Sequence, residues 1–140
     1  MTALEKLTEI NLDDLVSSFG WEDSPTLAAF LRALFCGTAR RFAQLMVVFD
    51  TNVGTKGLGF AGKELLKSFA SSVTVYGQEN IPNGPVLALS NHPGMVDTLA
   101  LFAALDRQDL RIIAVQRPFL EALTNTSDRL EYITDDPGEA

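Results

Sequence analysis

The chain has a single histidine, His92, in the segment Ser90-Asn91-His92-Pro93-Gly94-Met95-Val96-Asp97-Thr98. A carboxylate that accepts a hydrogen bond from one imidazole nitrogen fixes the tautomer. It also stabilises the imidazolium formed when the other nitrogen takes a proton. Asp97, five residues on, is the nearest carboxylate in sequence that could do this. It also falls at the expected start of a helix, where the same side chain could cap its own helix instead, and both roles stay open. Pro93 gives a rigid bend and Gly94 freedom to turn back, which would bring residues 92 and 97 together. Ser90 is a poor nucleophile for His92, because positions two apart on a strand end do not face each other. Cys36 reads as a mid-helix thiol that packs rather than reacts. One cysteine and one histidine exclude an internal disulfide and any multi-cysteine or His-rich metal site, so no metal or cofactor is expected.

The elements around this segment follow from periodicity. Val86 to Ser90 is a short apolar run bounded by prolines, expected as a buried strand with His92 just beyond its carboxyl end, where ligands of α/β sheets gather. A helix is expected from Asp97 to about Leu105. Further strands are expected at Val73–Tyr76, Arg111–Gln116 and Leu130–Ile133, with a helical turn at Phe119–Leu123. Ahead of residue 72 the pattern is helical. Asn11 to Phe19 carries apolar residues at i, i+3, i+4 and i+7, with Asn11 as cap and Gly20 as stop. A second helix runs from Pro25 to about Asp50, ending at the turn residues of Thr51–Thr55. A third runs from about Gly57 to Ala70, with Lys56, Lys63 and Lys67 opposite its apolar face. The fold class is therefore α/β, a helical N-terminal third (1–72) followed by a partial αβ sheet (73–140).

The 140 residues make one domain of ordinary composition, with 46% hydrophobic and 21% charged residues. The net charge of −7 argues against a nucleic-acid binder. The charge is unevenly placed. Residues 1–23 hold one basic side chain against six acidic, residues 24–78 six against two, and residues 79–140 four against ten. No positive leader followed by an apolar run opens the chain, so a cytoplasmic protein is expected. The longest uncharged stretch, 80–96, contains three prolines and is too short and broken to span a bilayer.

The run Val75-Tyr76-Gly77-Gln78-Glu79-Asn80-Ile81-Pro82-Asn83-Gly84-Pro85-Val86-Leu87-Ala88-Leu89-Ser90-Asn91-His92, followed by Asp97, resembles the first block of the glycerophospholipid acyltransferases. Their signature is N-H-x4-D behind a strand and a G-x-E-N-x-P-x-G-P turn. The resemblance covers about Val73 to Leu105 and more weakly reaches Ile133. It implies acyl transfer from acyl-CoA or an acyl-carrier protein to the hydroxyl of glycerol 3-phosphate or a lysophospholipid. His92 would be the base and Asp97 its orienting carboxylate. Asn91, Gly94 and Arg117 would bind substrate, Arg117 in place of an arginine expected where this chain reads Thr134-Asp135-Asp136. The third family block is missing, and Asp135–Ala140 reads as the middle of a loop, so a truncated chain is expected.

The resemblance also implies a helical element on the membrane surface. Trp21, Phe30, Phe35 and Phe42 would be its apolar contacts. Arg32, Arg40, Lys56, Lys63 and Lys67 would face anionic headgroups on the inner face of the cell membrane. The alternative is a non-catalytic membrane-associated module, or a fragment that keeps the fold without turnover.

Overall fold

The computed structural model describes residues 1–91 and 94–133. In chain order these form α1 (Ala3–Ser18), α2 (Pro25–Lys56), α3 (Leu58–Leu66), a 3-10 turn (Gln78–Asn80), α4 (Met95–Leu105), β1 (Ile112–Val115), α5 (Pro118–Glu121), α6 (Thr124–Ser127) and β2 (Leu130–Ile133). They divide into two compact units. One joins Met1–Asp50 to the chain from Arg111 onward, and the other is Thr51–Leu110. The fold class is the one expected, a helical N-terminal region followed by an αβ segment.

In the first unit, α1 begins earlier than its apolar spacing suggests. Thr2 and Glu5 form a reciprocal capping box that satisfies donors at the helix start. Asn11 is consequently inside the helix rather than its cap, and its Nδ2 is buried with no hydrogen-bond partner among the described residues. Leu7, Leu12 and Val16 are the buried stripe of α1, and Leu31, Ala43, Met46 and Phe49 that of α2. Arg32 ties the two helices by pairing with Glu9, at 2.7 Å, and with Asp13. Glu9 and Asp13 are one turn apart, so a single guanidinium reaches both.

β1 and β2 pair in parallel, Ile112 opposite Leu130 through Val115 opposite Ile133. Both lie where the alternation of β-branched and aromatic residues places them. A parallel pair needs a crossover, and residues 116–129 supply it through α5 and α6. The crossover is pinned by Asp50 on α2, which is buried. Its carboxylate accepts from the Asn125 N–H (3.3 Å), Asn125 Nδ2 (2.9 Å), the Thr126 N–H (2.8 Å) and Thr126 Oγ1 (2.7 Å). The two N–H groups belong to the first turn of α6, so Asp50 caps that helix from elsewhere in the chain.

In the second unit α3 packs on α4 around Leu58, Ala61, Leu65, Leu66, Leu99, Phe102 and Ala103. Gly62 permits the close approach, since a Cβ there would stand 2.8 Å from the Leu99 carbonyl oxygen. The turn expected at Thr51–Thr55 is helical, because α2 continues to Lys56. Val53 is buried in that stretch, and the Thr55 hydroxyl bonds back to the Thr51 carbonyl. The cost of Gly54 in a helix, about 1 kcal/mol, is smaller than burial of a valine contributes.

The expected strands at Val73–Tyr76 and Val86–Ser90 are not strands. Both segments lack ladder partners among the described residues, and Tyr76 and Leu89 are 90% and 87% exposed. Their β propensity is real, but propensity makes no sheet without a neighbouring strand.

Candidate active site

The second unit carries most of the segment singled out by its chemistry. Asn91 is exposed and lies outside any helix or strand. His92 and Pro93 fall outside the described residues. Gly94 is the N-cap of α4, with no side-chain cap bond. Its φ of −175° is extended backbone open to any residue, so the glycine supplies no special turn here. Asp97 sits half-buried in the first turn of α4, where the partial positive charge of the helix N-terminus favours a carboxylate. Its Oδ1 reaches back toward the helix start, and a Cβ on Gly94 would stand 3.7 Å from it. Gly94 and Asp97 are thus brought together, with Asp97 aimed at the end of α4 that the chain enters from residues 92 and 93.

At the other end of α4 the structure shows residues that sequence reasoning missed. Asp106 closes the helix in the left-handed conformation, φ 47°, the one such non-glycine among the described residues. Its carboxylate takes the Lys63 ammonium at 2.6 Å. Arg107 donates from Nη1 to the carbonyls of Pro82 (3.0 Å) and Gly84 (2.9 Å). Its Nε and Nη2 fork onto Asp109 at 2.9 and 2.6 Å. That hydrogen bonding holds the Asp109 carboxyl below its usual range and pushes the Arg107 guanidinium up. Gln78 adds a bond from Nε2 to the Ala104 carbonyl at 2.8 Å. The turn from Gln78 to Gly84 is therefore fastened to the C-terminal end of α4. No sequence pattern marks this, because the acceptors are backbone carbonyls more than twenty residues away.

The remaining expected residues are dispersed. Arg117 belongs to the first unit, exposed at the N-cap of α5 and extended ahead of Pro118. Lys56, Lys63 and Lys67 do not share one helix, since they end α2, lie within α3 and cap its C-terminus. Each has a local partner. Lys56 Nζ lies 4.2 Å from the centre of the Phe60 ring, Lys63 binds Asp106, and Lys67 binds Glu64 at 2.7 Å. Arg40 is exposed on α2. Trp21 is half-buried against Phe19, and Phe42 stacks on Phe119. Phe30 stays exposed, while Phe35 is half-buried and Cys36 is exposed. Among the described residues no helix is long and apolar enough to cross a membrane. None of their His, Cys, Asp and Glu side chains gather in threes to hold a metal ion.

No curated protein and no solved structure matches the chain. Residues 72–136 do match a family model, described as Acyltransferase. That span holds the Asn91-His92 dipeptide, Asp97, all of α4 and both strands. The match supports acyl transfer as the chemistry, and the C-terminal half of this chain is similar to the acyltransferase family.

Proposed function

We propose that the chain transfers an acyl group from a thioester, acyl-CoA or acyl-carrier protein, to a hydroxyl of glycerol 3-phosphate or a lysophospholipid. The observation that carries this is the N-H-x4-D spacing, with Asp97 half-buried in the first turn of α4 and inside the matched span. His92 takes the proton of the acceptor hydroxyl as the oxygen attacks the thioester carbonyl. The tetrahedral intermediate expels the thiolate, which recovers the proton from the imidazolium. Asp97 orients the imidazole and stabilises its charged form. No acyl-enzyme is formed, so no side-chain nucleophile is required.

The test is turnover of a thioester donor with glycerol 3-phosphate and with a lysophospholipid. His92→Ala should lose activity while its circular dichroism and melting temperature stay those of the wild type. Asp97→Asn keeps the shape but cannot stabilise an imidazolium, and should lower kcat by about 10²- to 10⁴-fold. Full turnover by His92→Ala would overturn the assignment.

A second reading, a membrane-associated module without turnover, is favoured by one observation. Leu27, Phe30 and Leu34 form an exposed apolar stripe at helical spacing on α2. On this reading, as on the first, the chain works at an anionic bilayer surface.

A further inference from the structure

We propose that in solution the exposed face of α2 is covered by the same face of a second copy of the chain, the two helices running antiparallel. The proposal lies beyond the acyl-transfer reading and does not depend on it.

The first unit takes Leu31, Ala43, Met46 and Phe49 of α2 into its core, and Arg32 pairs with Glu9 and Asp13 on α1. Turned away from that core are Leu27, Phe30, Leu34, Gly37 and Arg41, all exposed. Their steps of three, four, three and four residues are the spacing of a coiled-coil seam, along which one helix packs against another. Phe30 and Leu34, at the middle of the seam, are 59% and 61% exposed. Asp23, exposed in the turn ahead of α2, gains nothing at an anionic surface but suits an arginine.

The seam is self-complementary. A twofold axis level with residue 32 sets Phe30 against the Leu34 of a second copy and Leu27 against its Gly37. It also sets Asp23 against Arg41, once at each end. A parallel pairing would put Arg41 beside Arg41 and Asp23 beside Asp23, so the charges select the antiparallel arrangement. Gly37 fits the same account. Glycine weakens a helix interior, and a Cβ at Gly37 would meet nothing within 4 Å in its own chain. One copy alone therefore has no use for the missing side chain. Opposite Leu27 of a second copy, the glycine leaves room for the leucine. The seam rises about 21 Å from Leu27 to Arg41. So short a contact falls below the roughly 1,200 Å² of a standard interface, and the pair exchanges with monomer.

The test is sedimentation equilibrium of the full chain, in reductant so that the exposed Cys36 cannot cross-link copies. Between about 5 and 500 µM the mass should rise from 15.2 kDa toward twice that value. Asp23→Arg and Arg41→Asp each bring like charges together at both ends, and each should weaken association by about tenfold or more. An equimolar mixture of the two variants pairs opposite charges at both ends and should associate as the wild type does. Leu34→Lys should give a monomer with wild-type circular dichroism, because the side chain is exposed and the fold does not rest on it. A wild type that stays monomeric throughout overturns the proposal, and loss of vesicle binding in Leu34→Lys would then assign the stripe to the bilayer. A dimer that persists in Leu34→Lys, or single variants whose mixture fails to associate, overturns it as well, since the copies then meet elsewhere or in another register. None of these outcomes involves turnover, so the acyl-transfer reading stands or falls separately.

Discussion

At the scale of single residues, one carboxylate carries an unusual share of the structure. Asp50 accepts four hydrogen bonds from two adjacent residues of α6. Replacing it by alanine leaves the buried Thr126 donors unpaired, and each such loss costs about 1–3 kcal/mol. Asp50→Ala should therefore destabilise the chain by roughly 2–5 kcal/mol, read as a lowered denaturation midpoint. Asp50→Asn keeps an acceptor and should cost less. Nothing near Asp50 in sequence announces this role, because its partners lie some 75 residues away. The capping box at Thr2 and Glu5 is the opposite case. Its four-residue pattern is local and legible in the sequence, although the apolar spacing from Leu12 onward favours Asn11 as the cap. His92 and Asp97 stand out in the sequence by residue type, by spacing and by the family resemblance, and their roles are part of the proposed function. Arg107 does not stand out, because a sequence does not display which backbone carbonyls a guanidinium will meet.

Among the elements, the packing of α3 on α4 depends on a residue with no side chain. Gly62→Ala would put a methyl 2.8 Å from the Leu99 carbonyl oxygen and 3.2 Å from the Phe102 Cβ. Separating the helices should cost about 1–3 kcal/mol, despite the better helix propensity of alanine, and calorimetry would show it as a lowered melting temperature. The Arg107–Asp109 fork gives a pH prediction. The Asp109 carboxyl is lowered by its bond to Arg107, so the fork's contribution is complete above the ordinary carboxylate pKa of about 3.9. It is lost only as pH falls through the lower folded value. Protection of the Asn83 and Gly84 amides, taken relative to their intrinsic exchange at each pH, should thus be constant between about pH 5 and 8 and fall in stronger acid. β1 and β2 were readable because each combines a β-branched or aromatic run with a partner. Val73–Tyr76 and Val86–Ser90 carry the same signal without one, which shows that strand propensity identifies candidates and pairing decides among them.

For the whole molecule, the proposed work at a bilayer surface makes demands on charge and on apolar exposure. Arg32, Lys63 and Lys67 are engaged with exposed carboxylates. Such pairs are worth about 0–1 kcal/mol each, close to the roughly 1 kcal/mol a basic side chain gains near an anionic bilayer. Exchange of one partner for the other is nearly even, so charge alone will not drive binding. On the proposed membrane-surface reading, the exposed stripe of Leu27, Phe30 and Leu34 supplies most of it. The expected outcome is binding to anionic vesicles that weakens in high salt and is mostly lost in Phe30→Ser/Leu34→Ser. Equal binding to neutral and anionic vesicles would remove the lysines and arginines from the account. The bond between Asp50 and Thr126 also has a consequence in time. The two residues are 76 positions apart, and at about 5–20 residues per second a ribosome needs roughly 4–15 seconds to travel from one to the other. For that interval the first unit lacks its crossover and both its strands, and a buried carboxylate waits in water for its donors. The inserted unit, Thr51–Leu110, is complete before the unit that encloses it, so in synthesis the inner part of the sequence can fold first and the outer part closes last.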